Sequence, residues 1–150
     1  MTFPSSLISV SVIGPDKSPI YIKKNDDEKE SLEVEATLFE AIQIIDALPP
    51  KIYVRSSDRL LARVHKTDKF TLWAYKASLN YIIIAITPTP LIILEKVMLQ
   101  FLEKVKDAMF YAFTDPFYNS FAPLTSKIFD QKVLELSASV VPQTVSGSPQ

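Results

Sequence analysis

The sequence predicts an α+β domain in which helices cover both faces of a β-sheet. The main observation is residues 81–86, Tyr-Ile-Ile-Ile-Ala-Ile, which are apolar at every position. Because successive side chains of a strand point to opposite faces, such a strand must be covered on both sides. Two segments of alternating polarity precede it, at 60–65 and 70–77, and predict three consecutive strands joined by tight turns.

A hairpin is predicted at the start of the chain. Residues 7–13 place Ile8, Val10 and Val12 on one face and the small Ser9 and Ser11 on the other, where a helix could approach closely. A turn rich in Pro, Asp and Gly at 14–18 leads into a second strand at 19–23.

A first helix is predicted from Leu32 to the pair Pro49-Pro50, because proline disfavours helical backbone in the residue before it and supplies no donor. Its apolar arc is broader than one core face. This breadth predicts burial against the sheet plus a second surface that could contact a partner.

Two further helices follow the three strands. The long second helix ends at Asp115-Pro116, and Ser126 is expected to cap a short third helix. The predicted order is ββαβββαα, in a single domain over residues 1–139 with a disordered tail at 140–150. The inward stripe of the second helix is predicted as Leu91, Leu94, Met98, Phe101, Val105, Ala108 and Ala112, and that of the third as Phe129, Val133 and Leu136.

Composition excludes several classes of protein. The 150 residues include no cysteine, which removes disulfides and thiolate sites and is typical of the cytosol. The N-terminus lacks the basic head of a signal peptide. Pro88 and Pro90 interrupt the longest apolar region, so no membrane-spanning helix is expected.

Charge is concentrated in residues 51–80, which hold seven basic and two acidic residues in a chain of net charge -1. One interpretation is edge strands protected from stray pairing by Lys and Arg. The other is a surface that meets an anionic membrane or an acidic partner. Nucleic acid is not expected as a partner, because the overall balance is acidic and the usual RNA-binding motifs are missing.

Catalytic and ligand-binding groups are scarce. The single histidine, His65, lies in a strand pattern without a cysteine to share a metal. The two glycines, Gly14 and Gly147, do not form a phosphate-binding loop. The adjacent acids Asp26 and Asp27 lie in a charged loop, where nothing raises a carboxyl pKa. We therefore expect no enzyme, no cofactor and no metal.

One motif in this element order resembles a known family. Residues 115–119 read Asp-Pro-Phe-Tyr-Asn, and Ile-Phe-Asp follows at 128–130 with Val133 after it. They resemble the Asn-Pro-Phe-Tyr and Phe-Asp motifs of sedlin-type subunits of the TRAPP vesicle-tethering complex, with Asp115 in place of the usual Asn. The compact strand region is closer to the sedlin-like paralogue than to sedlin. The resemblance covers about residues 7–136.

This resemblance implies a longin-like (SNARE-like) fold, with five strands between one helix on one face and two on the other. It also implies a partner contact near an acidic residue of the first helix, at Glu40 or, in the alternative register, Asp46. Phe117 and Tyr118, in the aromatic loop with Phe121, are either an anchor between the second and third helices or part of a subunit interface.

The function implied is that of a non-catalytic subunit that contacts other TRAPP subunits in complex assembly and, through them, supports activation of a Rab GTPase. It would be cytoplasmic and peripheral at Golgi and ER-Golgi membranes, held there by the complex. The alternative is another longin-like trafficking module, such as the small chain of a clathrin adaptor. An unrecognised hydrolase would need convergent polar groups that the residue inventory does not offer.

Overall fold

The structure is a computed structural model. For residues 60–66, 76 and 95 it describes the backbone alone. The described residues are 7–24, 36, 38–40, 42–43, 60–66, 70–76, 81–88, 93–116, 118, 123–124 and 126–140.

The described strands form one antiparallel sheet of five strands in the order β2-β1-β5-β4-β3. Together with the helices described below, it confirms the α+β class. The sheet places β5 at its centre and β2 and β3 at its edges. The strands are β1 (Ser9–Ile13), β2 (Pro19–Lys24), β3 (Leu60–Lys66), β4 (Phe70–Lys76) and β5 (Ile82–Pro88).

Two helices, α1 (Glu95–Phe113) and α2 (Lys127–Ser137), correspond to the second and third predicted helices. They pack against each other, and α1 also lies on β3, β4 and β5. The Ser126 hydroxyl accepts a hydrogen bond of 3.2 Å from the backbone N–H of Phe129, so the predicted cap of α2 is confirmed.

The buried stripe of α1 differs from the predicted one. Leu94 is 49% exposed because it precedes the helix in extended backbone, so helical periodicity does not set its direction. Leu102 and Met109 are fully buried beside the predicted Met98 and Phe101, so the buried arc is wider than one row of residues. Leu91 lies outside the described residues.

The central strand is covered on both faces, as the sequence predicts. Ile83 and Ala85 pack with the buried residues of α1 and α2, on what we term the helix-pair face of the sheet. Ile84 and Ile86 pack on the opposite face with Leu38. These four side chains are at most 1% exposed, so water reaches neither face of the sheet in the middle of β5.

The opposite face meets helical residues of the predicted first helix. Residues 36, 38–40 and 42–43 are helical, and Leu38 is 1% exposed in a core cluster that Ile42 joins. The ends of this helix, including Pro49 and Pro50, lie outside the described residues. The small residues Ser9 and Ser11 of β1 are fully buried.

The end of the described chain packs on the core. Val140 was expected to begin a disordered tail, but its side chain is fully buried in the core cluster that contains Val133. Its N–H donates a hydrogen bond of 3.0 Å to the carbonyl of Ser137. Ser137, Ala138 and Ser139 precede this valine in the sequence, and it is buried by contacts on the helix-pair face. Residues 141–150 lie outside the described residues.

Candidate functional site

The exposed side of the first helix is one candidate surface. Phe39 is 53% exposed, whereas the adjacent Leu38 is buried, so the helix presents an aromatic ring to solvent. The predicted partner residue Glu40 is also exposed, as is Gln43. We call Ala36, Phe39, Glu40 and Gln43 the first-helix surface. Phe39 is the large apolar residue of this surface, while Asp46 lies outside the described residues.

The aromatic loop is the second predicted site, and Tyr118 is its described member. The Tyr118 ring stacks on Phe113 at the end of α1, with 5.0 Å between centroids and 19° between planes. Phe113 in turn lies 5.0 Å from the ring of Tyr81. The N–H of Tyr118 donates to the carbonyl of Asp115 at 3.0 Å. These contacts fasten Tyr118 to the end of α1 and, through Phe113, to Tyr81 just before β5.

The half-buried position of Tyr118 fits an anchoring role for its ring. Burial first, and then the nearby Tyr81, raises the pKa of Tyr118 above its ordinary value. Its hydroxyl therefore stays protonated at neutral pH. Phe117 and Phe121, predicted as its neighbours in an interface, lie outside the described residues.

A polar cluster at the sheet edge was not foreseen. The Tyr21 hydroxyl donates a hydrogen bond of 2.7 Å to one carboxylate oxygen of Asp130, and the Lys23 ammonium contacts the other oxygen at 3.1 Å. The Tyr21 ring also meets Phe129 edge to face at 4.8 Å. Two residues of β2 thus hold consecutive residues of α2, which fixes this helix on the sheet.

The charges of this cluster follow from its position. Burial opposes ionisation of Asp130, but the hydrogen bonds from Tyr21 and Lys23 and the charge of Lys23 outweigh it and hold the carboxyl pKa below its ordinary value. Burial, followed by the bond to Asp130, raises the pKa of Tyr21 well above its ordinary value. The cluster is therefore ionised at Asp130 and neutral at Tyr21 at physiological pH.

A groove of about 1020 Å³ runs between α1 and α2. Tyr111 and Ile128 stand on its walls and are 73% and 77% exposed. Ala108, Ala112 and Leu136 contribute apolar lining between them. No pattern in the sequence singled out Tyr111, whose position in the second helix had no assigned role.

Of the groups considered for catalysis, Asp26, Asp27 and Gly147 lie outside the described residues. No group of three or more His, Asp or Glu side chains able to hold a metal ion occurs among the residues described. His65 lies in β3, opposite Leu72 of β4, and its side chain is not among those described. No helix in the described ranges is long and apolar enough to cross a membrane.

The basic region 51–80 overlaps the free edge of the sheet. Arg63 and Lys66 belong to β3, which is an outer strand, and the β3–β4 register shifts between Leu60 and Ala62 and again between Arg63 and His65. Irregular register and basic residues are two devices that protect an edge from pairing with another chain. This placement is what the edge-strand interpretation predicts, while Lys51, Arg55, Arg59 and Lys69 lie outside the described residues.

The described fold is thus an α+β domain with helical residues on both faces of its sheet, and its candidate sites are surfaces suited to contact with other proteins. The family model for sedlin matches residues 12–139. The chain therefore belongs to the sedlin family, whose members are TRAPP-related trafficking subunits. A search of curated proteins finds no match.

Proposed function

We propose that the chain is a non-catalytic subunit of a TRAPP-type tethering complex. It acts by binding neighbouring subunits, and the assembled complex activates a Rab GTPase in ER-Golgi and Golgi traffic. The chain itself is cytoplasmic and reaches the membrane periphery through the complex. Membership of the sedlin family supports this role over that of a clathrin-adaptor small chain.

The observation that carries the proposal is the first-helix surface. Leu38 secures this helix to the sheet, while Phe39 and Glu40 remain exposed beside it. An exposed aromatic side chain is typical of the anchor positions of protein interfaces, where Phe, Tyr and Trp are enriched. The helix therefore has one side for the core and another for a partner, as in the longin-like arrangement of one helix opposite two.

The aromatic loop has a supporting role in this proposal. Tyr118 anchors the loop to Phe113 and leaves its neighbours Phe117 and Phe121 as the candidates for subunit contact. Glu40 and Asp46 remain the two candidates for the acidic partner position. Phe39, Glu40, Asp46, Phe117 and Phe121 define where substitutions should weaken assembly without unfolding the domain.

Co-purification of tagged variants tests the first-helix surface. We expect Phe39→Ser and Glu40→Lys each to reduce the yield of co-purifying TRAPP subunits by about tenfold or more, because truncated anchor residues cost about 2 kcal/mol or more in binding. Both positions are exposed, so thermal stability should be retained.

Glu103→Lys is the matched control, since it makes the same charge reversal on α1, at the other face of the sheet. It should leave the yield unchanged. Wild-type yields from both first-helix variants would remove this surface from the proposal. Recovery of large adaptor chains in place of TRAPP subunits would favour the clathrin-adaptor alternative.

A further inference from the structure

The turn between β1 and β2 contains a serine that directly precedes a proline. Ser18 is exposed, and Pro19 is the first residue of β2. Proline-directed protein kinases phosphorylate serine and threonine residues in this position. A residue before proline favours extended backbone, which is the conformation in which kinases bind their substrate segments. Ser18 therefore has both the sequence and the exposure that this class of enzyme requires.

Burial distinguishes Ser18 from a threonine in the same sequence context. Thr87-Pro88 lies in β5, where Thr87 is 1% exposed and its hydroxyl accepts a hydrogen bond of 3.0 Å from the indole N–H of Trp73. A kinase could reach this hydroxyl only if the centre of the sheet unfolded. The remaining pairs of this type, Thr89-Pro90 and Ser148-Pro149, lie outside the described residues.

The turn itself contains a strained residue. The Gly14 N–H donates to the Ser18 carbonyl at 2.9 Å, and the Lys17 N–H donates to the Gly14 carbonyl at 2.9 Å. Lys17 has a φ of 69°, in the left-handed region where hairpin loops of this kind normally place glycine. A lysine in this conformation makes the turn less stable than a glycine would. Local opening of the turn is therefore favoured, and it would let Ser18 enter a kinase active site.

The Ser18 hydroxyl has a charged neighbour in the turn. The Ser18 N–H donates a hydrogen bond of 3.2 Å to Asp16 Oδ1. The hydrogen bond from the Ser18 hydroxyl, followed by the one from its N–H, holds the pKa of Asp16 below its ordinary value. Asp16 is therefore ionised at neutral pH, and it accepts a hydrogen bond from the hydroxyl that a kinase would modify.

We propose that Ser18 is a phosphorylation site for a proline-directed kinase and that the phosphate opens the turn between β1 and β2. Ser18 Oγ forms a bond to the γ-phosphorus of ATP while the bond from that phosphorus to the β–γ bridging oxygen breaks. ADP leaves, and the hydroxyl proton passes to the catalytic aspartate of the kinase. The product can no longer donate from Oγ, and its charge of about −1.5 to −2 at pH 7 repels the Asp16 carboxylate.

The turn lies beside the aromatic residues at the end of α1. Burial first, and then the charge of Asp16, raises the pKa of Tyr81, so the Asp16 carboxylate lies near this hydroxyl. Tyr81 contacts Phe113, on which Tyr118 stacks. A phosphate on Ser18 would thus add negative charge next to the aromatic loop. The modification does not depend on the proposed subunit contacts.

Phosphorylation in vitro tests the site, with the full 150-residue chain, ATP and a purified proline-directed kinase. Mass spectrometry locates the phosphate. We expect it on Ser18 and not on Thr87, and Ser18→Ala should abolish the Ser18 signal. A synthetic peptide of residues 14–22 shows whether the kinase accepts this sequence without the turn.

Three outcomes of this experiment would overturn the proposal. They are phosphate on the peptide but not on Ser18 of the chain, phosphate on neither, and equal phosphate on Ser18 and Thr87. The chain isolated from cells in the presence of phosphatase inhibitors should also carry phosphate on Ser18. Its absence there would likewise overturn the proposal.

Urea unfolding followed by the fluorescence of Trp73 measures what the phosphate does to the turn. We expect phosphorylation to lower the folding equilibrium constant about threefold or more, because hydrogen bonds are lost and like charges meet. In Asp16→Asn the decrease should be smaller, because the repelled carboxylate is gone. Asp107→Asn, the same substitution on α1, should retain the full decrease. An unchanged constant, or equal decreases in wild type and Asp16→Asn, would overturn the proposed opening of the turn.

Discussion

Removal of the Tyr21 hydroxyl tests how α2 is held on the sheet. Tyr21→Phe retains the ring and its edge-to-face contact with Phe129, and deletes only the 2.7 Å hydrogen bond to Asp130. Hydrogen bonds to charged groups contribute about 1.5–3 kcal/mol when buried. Because the Asp130 side chain is 38% exposed, water can replace the lost donor, and we expect a loss of about 1 kcal/mol.

The effect should depend on pH at both ends of the scale. Asp130 has a lowered pKa in the folded protein. It therefore contributes to the stability of the fold above pH 3.8, its ordinary pKa, and this stabilisation is lost as pH falls through its pKa in the folded state. Tyr21 has a raised pKa in the folded protein. Its stabilisation of the fold is therefore complete below pH 10.0, its ordinary pKa, and declines as pH rises above 10.0. The variant and the wild type should therefore differ most between these limits.

Urea unfolding at pH 7, followed by the fluorescence of the single tryptophan, Trp73, measures the difference. Tyr111→Phe is the matched control, because it deletes a hydroxyl from a tyrosine that is 73% exposed and should change stability by less than about 0.5 kcal/mol. Equal effects of the two substitutions would refute the reasoning. So would a Tyr21→Phe effect that stays constant down to pH 2.

Three further substitutions probe the core and the aromatic loop, with stability measured by urea unfolding and circular dichroism. Thr87→Val should lower stability by about 1–3 kcal/mol, because Trp73 Nε1 loses its acceptor at 3.0 Å; no loss would contradict this bond. Ser11→Ala should leave stability unchanged or raise it, since the buried Ser11 Oγ has no hydrogen-bond partner in the described structure. A loss of stability above about 1 kcal/mol would indicate that Ser11 Oγ bonds to a residue outside the described part of the chain. Tyr118→Ala should cost about 1–2 kcal/mol by removing the stack on Phe113, whereas unchanged stability with lost partner binding would make Tyr118 an interface residue.

The features predictable from sequence are those that depend on neighbours along the chain. The odd-numbered and the even-numbered positions of β5 are both apolar, so both faces of this strand must be covered. Ile83 and Ile84 are indeed buried on opposite sides of the sheet. Ser126 precedes a helical pattern and caps it through a residue three positions away. The broad arc of the first helix likewise leaves Phe39 exposed.

The features missed depend on contacts between distant residues. Tyr21 and Asp130 are 109 positions apart, so no periodicity relates them, although Phe129-Asp130 was noted as a family motif. Val140 follows a polar segment and is buried only because the end of α2 lies over the core. The α1/α2 groove requires two helices to be side by side, which neither helical pattern specifies alone.

Gel filtration of the native, full-length chain from cells, followed by mass spectrometry of its fractions, tests the proposed role most directly. We expect the chain to elute far above its own mass of 16.9 kDa and together with TRAPP subunits. Elution at the monomer position, in fractions without any TRAPP subunit, would contradict it.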